Sequence, residues 1–170
     1  MSNKPLPPLE ELRENIDYNP DTGIFTWIKK PSIATKVGQE AGTANKNGYI
    51  CISFRKKIYY AHRLAYYMYY GIDPLEKKID HIRGPCNNNK INNLRLATHS
   101  QNSMNRVNLG SNNNSGYTGV DWNKRLKKWR ARITINGVEK HLGYFTNKED
   151  AIKARKEAEI KYFGEFRRQD

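Results

Sequence analysis

The sequence predicts an α+β fold in two parts. The first is a region of hairpins and short helices; the second is a three-stranded antiparallel sheet packed on one helix. Three observations carry this. Turn signals (Asn19-Pro20, Asp21-Thr22-Gly23, Asn136-Gly137) separate short runs of two-residue alternation. Two stretches, "AHRLAYYMYYG" and the segment behind "TNKE", read as helices. Between the two parts lies "NLGSNNNSG", whose Asn, Ser and Gly leave it little to bury.

Along the chain, "MSNKPLPPLEEL" has three prolines and reads as a loose arm entering a short helix. In "YNPDTGIFTWI" the turn residues precede a strand in which Ile24, Thr26 and Ile28 alternate with Phe25 and Trp27. "NKNGYICISFRKKIYY" predicts a hairpin turning at the basic "RKK", with Ile50, Ile52 and Phe54 on one face. The next helix ends at Gly71, a C-cap residue. "KIDHI" is strand-like, "RGPCNNNK" a loop and "NNLRLA" a second short strand. Thr98 opens "THSQ", the Thr-x-x-Gln form of a capping box, which places a helix from there to about Arg106. Residues 1–106 thus form a first domain, 107–115 a linker and 116–170 a second domain. In the second, "YTGVDW" is a strand, "KWRARITI" and "VEKHLGYF" flank an Asn-Gly hairpin turn, and Thr146 opens another capping box. The helix behind it carries Ala151, Ala154, Ala158 and Tyr162 on one face, small enough to lie close on the sheet.

The chain of 170 residues has 30 Lys and Arg against 17 Asp and Glu, a net charge of +13 and a pI near 9.7. Residues 1–110 contribute 16 basic and 9 acidic side chains and residues 111–170 contribute 14 and 8, so the charge is not one detachable tail. Such a field favours a polyanion, of which nucleic acid is the commonest. Cys51 and Cys86 stand far apart and make neither a zinc knuckle nor a disulfide framework, which suits a reducing cytoplasm. No stretch resembles a signal peptide or reaches transmembrane length.

Residues 79–102, "IDHIRGPCNNNKINNLRLATHSQN", concentrate polar side chains that a core cannot use. Cleaving a phosphodiester near neutral pH needs a base for water and neutralisation of charge on the phosphate oxygens. A histidine near its ordinary pKa suits the first task, and a hard divalent cation on oxygen ligands suits the second. Asp80 and His81 set a carboxylate and a base side by side, and an asparagine on the Thr98 helix adds an oxygen ligand.

With His81 followed by Asn93 at twelve residues and Asn102 at twenty-one, the stretch 79–106 resembles the His-Asn-His (HNH) endonucleases with a ββα-metal site, especially the phage homing endonucleases. "YYAHRLAYYMYYG" is similar to a helix of the same families. The resemblance implies that His81 is the general base, that Asp80 and Asn102 hold one Mg²⁺ or Mn²⁺, and that Asn93 orients the His81 ring by a hydrogen bond. An amide oxygen in place of the last His suits Mg²⁺ better than Zn²⁺. Neighbouring residues on a regular strand point to opposite faces, so Asp80 and His81 share a site only where the strand ends or twists, which the resemblance supplies. Taken singly, Asp80-His81 reads as a surface pair or cap, Asn93 as a turn residue and Asn102 as solvated; their order and placement together favour the site. His62, on an apolar helix, reads as a satisfied structural histidine, and His99 as facing solvent or DNA.

In "WRARITI", Trp129, Ala131, Ile133 and Ile135 share one strand face; Arg130, Arg132 and Thr134 share the other. Lys124, Arg125, Lys127 and Lys128 occupy the preceding turn, so an arginine-bearing ribbon fit for a DNA major groove is expected. Arg83 and Arg106 are further candidate DNA contacts. The segments "SGYTGVDW", "KKWRARI", "HLGYF", "EDAIKARKEA" and "FGEF" resemble the Apetala-type (ethylene-response-factor) DNA-binding domain, which also accompanies phage HNH nucleases. Asp121, Asn123 and Glu139 stand where the plant proteins put base-reading arginines. The reading is therefore a phage-type HNH endonuclease acting on double-stranded DNA in bacterial cytoplasm, as a monomer on DNA. The alternative is a non-catalytic DNA-binding regulator with a decayed nuclease part; RNA binding comes third.

Overall fold

The computed structural model describes residues 5–75, 77–104, 109 and 113–167; Arg106, Val107, Asn108 and residues 110–112 of the expected linker lie outside them. The chain divides between His99 and Ser100 into two compact units. No helix among the described residues is long and apolar enough to cross a membrane.

The first unit opens with α1 (Leu9–Asn15), which buries Leu12 and passes directly into β1 (Ile16–Asn19). β1 pairs antiparallel with β2 (Ile24–Trp27), Ile16 opposite Trp27 and Asn19 opposite Ile24. Asn19 makes the turn: its Oδ1 accepts from the backbone N–H of Asp21 and Thr22, both at 3.0 Å. Alternation decides the buried face, Phe25 and Trp27 inward and Ile24 outward. A second sheet contains β3 (Thr43–Ala44), β4 (Ile50–Phe54) and β5 (Lys57–Tyr60) in that order. Arg55 and Lys56 turn the β4–β5 hairpin with φ of 47° and 58°, so the expected basic turn forms in the left-handed region without glycine. α2 (Ala61–Tyr70) follows and stops at Gly71, whose φ of 70° closes the helix with an N–H bond to the Tyr67 carbonyl. β6 (Lys78–His81) and β7 (Leu94–Ala97) form an antiparallel ribbon joined by a loop that ends in a 3₁₀ turn at Ile91–Asn93. One core, including Leu12, Ile16, Phe25, Ile52, Leu64, Ile79 and Leu94, ties these pieces together.

α3 (His99–Met104) starts at the unit boundary. Its Ser100 hydroxyl bonds Asn136 Oδ1 at 3.2 Å, and Met104 packs against the Ile133, Ala158 and Phe163 cluster. The second unit has β8 (Val120–Asn123), β9 (Lys128–Ile135) and β10 (Val138–Phe145) in an antiparallel sheet with β9 central. α4 (Lys148–Phe163) carries buried Ala151, Ala158 and Phe163 and packs with the sheet's buried Ala131 and Ile133. Asn136 and Gly137, at φ 50° and 81°, make the expected hairpin turn. The N-cap of α4 is Asn147, one residue beyond the Thr146 expected from the capping-box pattern, and it makes no side-chain cap bond. The ordered framework of this unit includes Asn113 and Ser115: Asn113 Oδ1 accepts from the N–H of Gly116 at 2.8 Å, and the buried Ser115 hydroxyl donates to the Val120 carbonyl at 2.7 Å.

Candidate active site and nucleic-acid interface

The β6–β7 ribbon sorts Asp80 and His81 onto different neighbours. Asp80 is the register partner of Arg95 and His81 that of Leu94, and β6 stays paired through His81. Asp80 is 5 % exposed, and its Oδ2 accepts from Arg95 Nε at 2.9 Å and Nη2 at 2.8 Å. This pair follows from the β6–β7 register and was not expected from the sequence.

His81 lies among rings. Its imidazole meets His62 edge to face at 5.1 Å between centroids, with Tyr49 6.0 Å away. His62 in turn stacks on Tyr60 at 5.2 Å. His81 Nε2 is 3.3 Å from Asn89 Oδ1. An amide oxygen can only accept, so this bond requires the tautomer with hydrogen on Nε2, leaving Nδ1 unprotonated. Burial pushes His81 below its ordinary pKa, while the Asn89 bond and the charge of Asp80 pull the other way. The ring is therefore neutral at neutral pH.

Asn93, which sequence reasoning expected at the His81 ring, is engaged at both ends of its amide with the loop backbone. Oδ1 accepts from Arg83 N–H at 2.9 Å and Nδ2 donates to the Asn88 carbonyl at 3.0 Å. The ring-bonding residue missed by that reasoning is Asn89, buried to 3 % and itself held from behind. The Tyr18 hydroxyl donates to the Asn89 carbonyl at 2.8 Å, and Ile91 N–H donates to the Pro20 carbonyl at 3.0 Å. Gly23, at φ 76°, lies so close that a Cβ would come within 2.6 Å of the Asn89 carbonyl carbon. Burial, with smaller contributions from the phenols of Tyr69 and Tyr70 and from Asp21, raises the Tyr18 pKa, so its hydroxyl stays a donor.

His62 corrects one expectation. It is buried as foreseen, but it is not satisfied: Nδ1 has no hydrogen-bond partner among the described residues, and the ring lies against His81. Burial first, then the neighbouring charges of His81 and Arg63, lowers its pKa from 6.5 to about 3. His62 is thus neutral when folded and takes up a proton on unfolding below pH 6.5, so acid favours the unfolded chain. Stability is expected to be complete above pH 6.5 and to fall toward pH 3, by about 2 kcal/mol at pH 5. Urea denaturation at pH 7 and pH 5 checks this, with a smaller fall expected for His62→Phe. An equal fall in that variant would assign the acid sensitivity to other groups.

As to a metal, Asp80 supplies a buried carboxylate, and the Arg95 bonds given above fall on Oδ2. Asn102, the second expected ligand, lies on α3, half-buried, in the stretch that belongs to the second unit. The Asp80 carboxylate is a hard oxygen ligand of the kind that suits Mg²⁺ or Mn²⁺, which need one or two protein ligands beside water and phosphate. Among the described residues no three His, Cys, Asp or Glu side chains are grouped into a cage.

In the second unit, Arg130, Arg132 and Thr134 sit on the strand face opposite the buried Ala131 and Ile133, and Lys124, Arg125, Lys127 and Lys128 are exposed at the β8–β9 turn. The two arginines are engaged with acids. Asp121 Oδ2 accepts from Arg130 Nη2 at 2.9 Å, Asp121 Oδ1 from Arg132 Nε at 3.2 Å, and Glu139 Oε2 from Arg132 Nη1 at 2.7 Å. Arg83 is exposed on the loop after β6. A buried arginine that the sequence did not flag, Arg155, bonds Glu159 at 2.8 Å and the Arg132 carbonyl, bracing α4 on the sheet.

Comparison with known proteins bears on the first of these sites. Residues 59–104 match the HNH endonuclease family model. That segment runs from β5 to the end of α3 and includes His62, Asp80, His81, Asn89, Asn93 and Asn102. "Protein 3.8" of Escherichia phage T7 is 41% identical over 61 residues, 36% of this chain and 50% of that protein. The chain spans about half the length of this curated relative. No solved structure matches the chain.

Proposed function

We propose that the chain is a metal-dependent, homing-type HNH endonuclease that hydrolyses or nicks the backbone of duplex DNA. The observation that carries this reading is that the HNH-matched segment contains a neutral histidine whose tautomer is set by a buried amide.

His81 Nδ1 takes the proton of the attacking water, and Asn89 steadies the imidazolium that forms by accepting from Nε2. Asn93 orients the ring indirectly, by clamping the loop at Arg83 and Asn88 so that Asn89 stays in reach. The His62 and Tyr49 rings limit rotation of His81. Asp80 would hold the Mg²⁺ or Mn²⁺, which when bound neutralises charge on the phosphate; Asn102 is assigned a ligand role from the sequence alone. Arg95 fixes the Asp80 carboxylate. The second unit supplies much of the duplex affinity through Lys124, Arg125, Lys127 and Lys128 and the Arg130–Arg132–Thr134 face. Arg83 adds a contact near the cut, and Arg106 is assigned the same role from the sequence.

A supercoiled plasmid assay with and without Mg²⁺ tests the reading, with relaxed or linear product expected only with the metal. Chelation is expected to abolish cutting and leave the melting temperature unchanged, since a bound Mg²⁺ on one carboxylate contributes little to folding. Melting provoked by chelator would mean a structural metal site. The rival reading, a DNA-binding protein that does not cut, has one observation in its favour, the Arg95 grip on Asp80. Binding without product under any divalent metal would select it.

A further inference from the structure

The open face of the β8–β9–β10 sheet holds its charges in an ordered row. Asp121 faces Arg130 in register and Glu139 faces Thr134. Asp121 accepts from both arginines, through Oδ2 from Arg130 Nε and Nη2 at 3.2 and 2.9 Å and through Oδ1 from Arg132 Nε at 3.2 Å. Glu139 takes Arg132 Nη1 at 2.7 Å. These bonds use Nε and Nη2 of one guanidinium and Nε and Nη1 of the other, so Arg130 Nη1 and Arg132 Nη2 take no part in them. The four side chains are 29 to 51 % exposed, within reach of a ligand.

The quartet carries no net charge. For a surface that only neutralises phosphates this is a poor arrangement, because each carboxylate cancels a cation that would otherwise release counterions from DNA. The exposed cations at the β8–β9 turn have no such partners among the described residues and suit phosphates. What the carboxylates add is orientation. An arginine side chain loses rotamer freedom on being fixed, and a fork already held presents its remaining donors in one direction. Reading a guanine edge needs that fixed geometry, whereas a phosphate contact does not.

Resting on the reading that this face meets duplex DNA, we propose that Asp121 and Glu139 are specificity-determining residues that hold Arg130 and Arg132 for base recognition in the major groove. Acidic residues here are then part of the sequence-reading device, not gaps in it.

The test is selection from a randomised duplex library by the full chain, with chelator present so that binding is read without cutting. Wild type is expected to enrich a guanine-containing sequence. Asp121→Asn and Glu139→Gln keep side-chain shape but lose the charge. Each is expected to bind the unselected library more tightly, with steeper salt dependence. Each is also expected to lose about tenfold or more of the preference for the enriched sequence. Glu139 is half exposed, so Glu139→Gln carries the test if Asp121→Asn melts early. Unchanged enrichment in the carboxamide variants, or none by wild type, would overturn the inference. A double Arg130→Ala, Arg132→Ala variant separates this from the parent reading. If it binds like wild type, the face does not meet DNA. If it binds weakly while both carboxamide variants keep full enrichment, the face meets DNA and the acids only tune charge.

Discussion

His81→Ala is expected to lower the rate of plasmid cleavage by about 10²–10⁴-fold, the usual worth of a positioned acid–base group. Duplex affinity is expected to stay within about twofold, because the mutation removes no basic side chain from the binding surfaces. The ring is only partly buried, so its loss opens space beside His62 and Tyr49 without stranding a charge. His81→Asn separates shape from chemistry: it refills some of that space, yet an amide cannot accept the proton at neutral pH. Equal loss in both variants, with melting curves close to wild type, places the proton transfer at His81. Cleavage at the wild-type rate in either variant removes it from the mechanism.

Arg95→Ala is expected to cost about 3–5 kcal/mol of folding stability, the range for breaking a buried ion pair from one side. Asp80 is 5 % exposed and Arg95 only 12 %, so the carboxylate left behind has poor access to water. The cost arises from that stranded charge more than from the lost attraction. Removing both partners, as Asp80→Leu with Arg95→Met, is therefore expected to recover most of the stability while abolishing activity. Urea denaturation of the three proteins decides it. An Arg95→Ala protein as stable as wild type would show that Asp80 is adequately held without the guanidinium.

Local chemistry made most of the elements legible. Asn136-Gly137 forced a hairpin, Gly71 stopped a helix, and alternation in "WRARITI" told the buried face from the open one. The stretch around Asp80 and His81 was legible through its resemblance to the HNH pattern, in which those residue types recur in that order. What escaped was set by tertiary proximity. Asn87, Asn88 and Asn89 are consecutive and identical, and only the fold, through a hydroxyl 71 residues away in sequence, selects the third for the His81 ring. The His62–His81 contact joins a helix to a strand across the core, and no spacing rule reports it. The Asp121–Arg130 pair is different. It follows from the β8–β9 register, but carboxylates on a basic face read as departures from pattern until their hydrogen bonds are seen.

The recognisable stretch and the working piece have different borders. Residues 59–104 carry the match, yet the strap that bears Asn89 rests on Tyr18, Pro20 and Gly23, well outside it. The core beneath the β6–β7 ribbon also draws on Leu12, Ile16 and Phe25. Exchange between genes that swapped only the matched stretch would carry His81 and Asn89 away from their scaffold. The new host would need its own hairpin with a tight glycine at the same height. A cassette that keeps the Asn89 strap on its supports must then begin at α1. A transplant made in the laboratory faces the same border, at Leu9 and not at Tyr59.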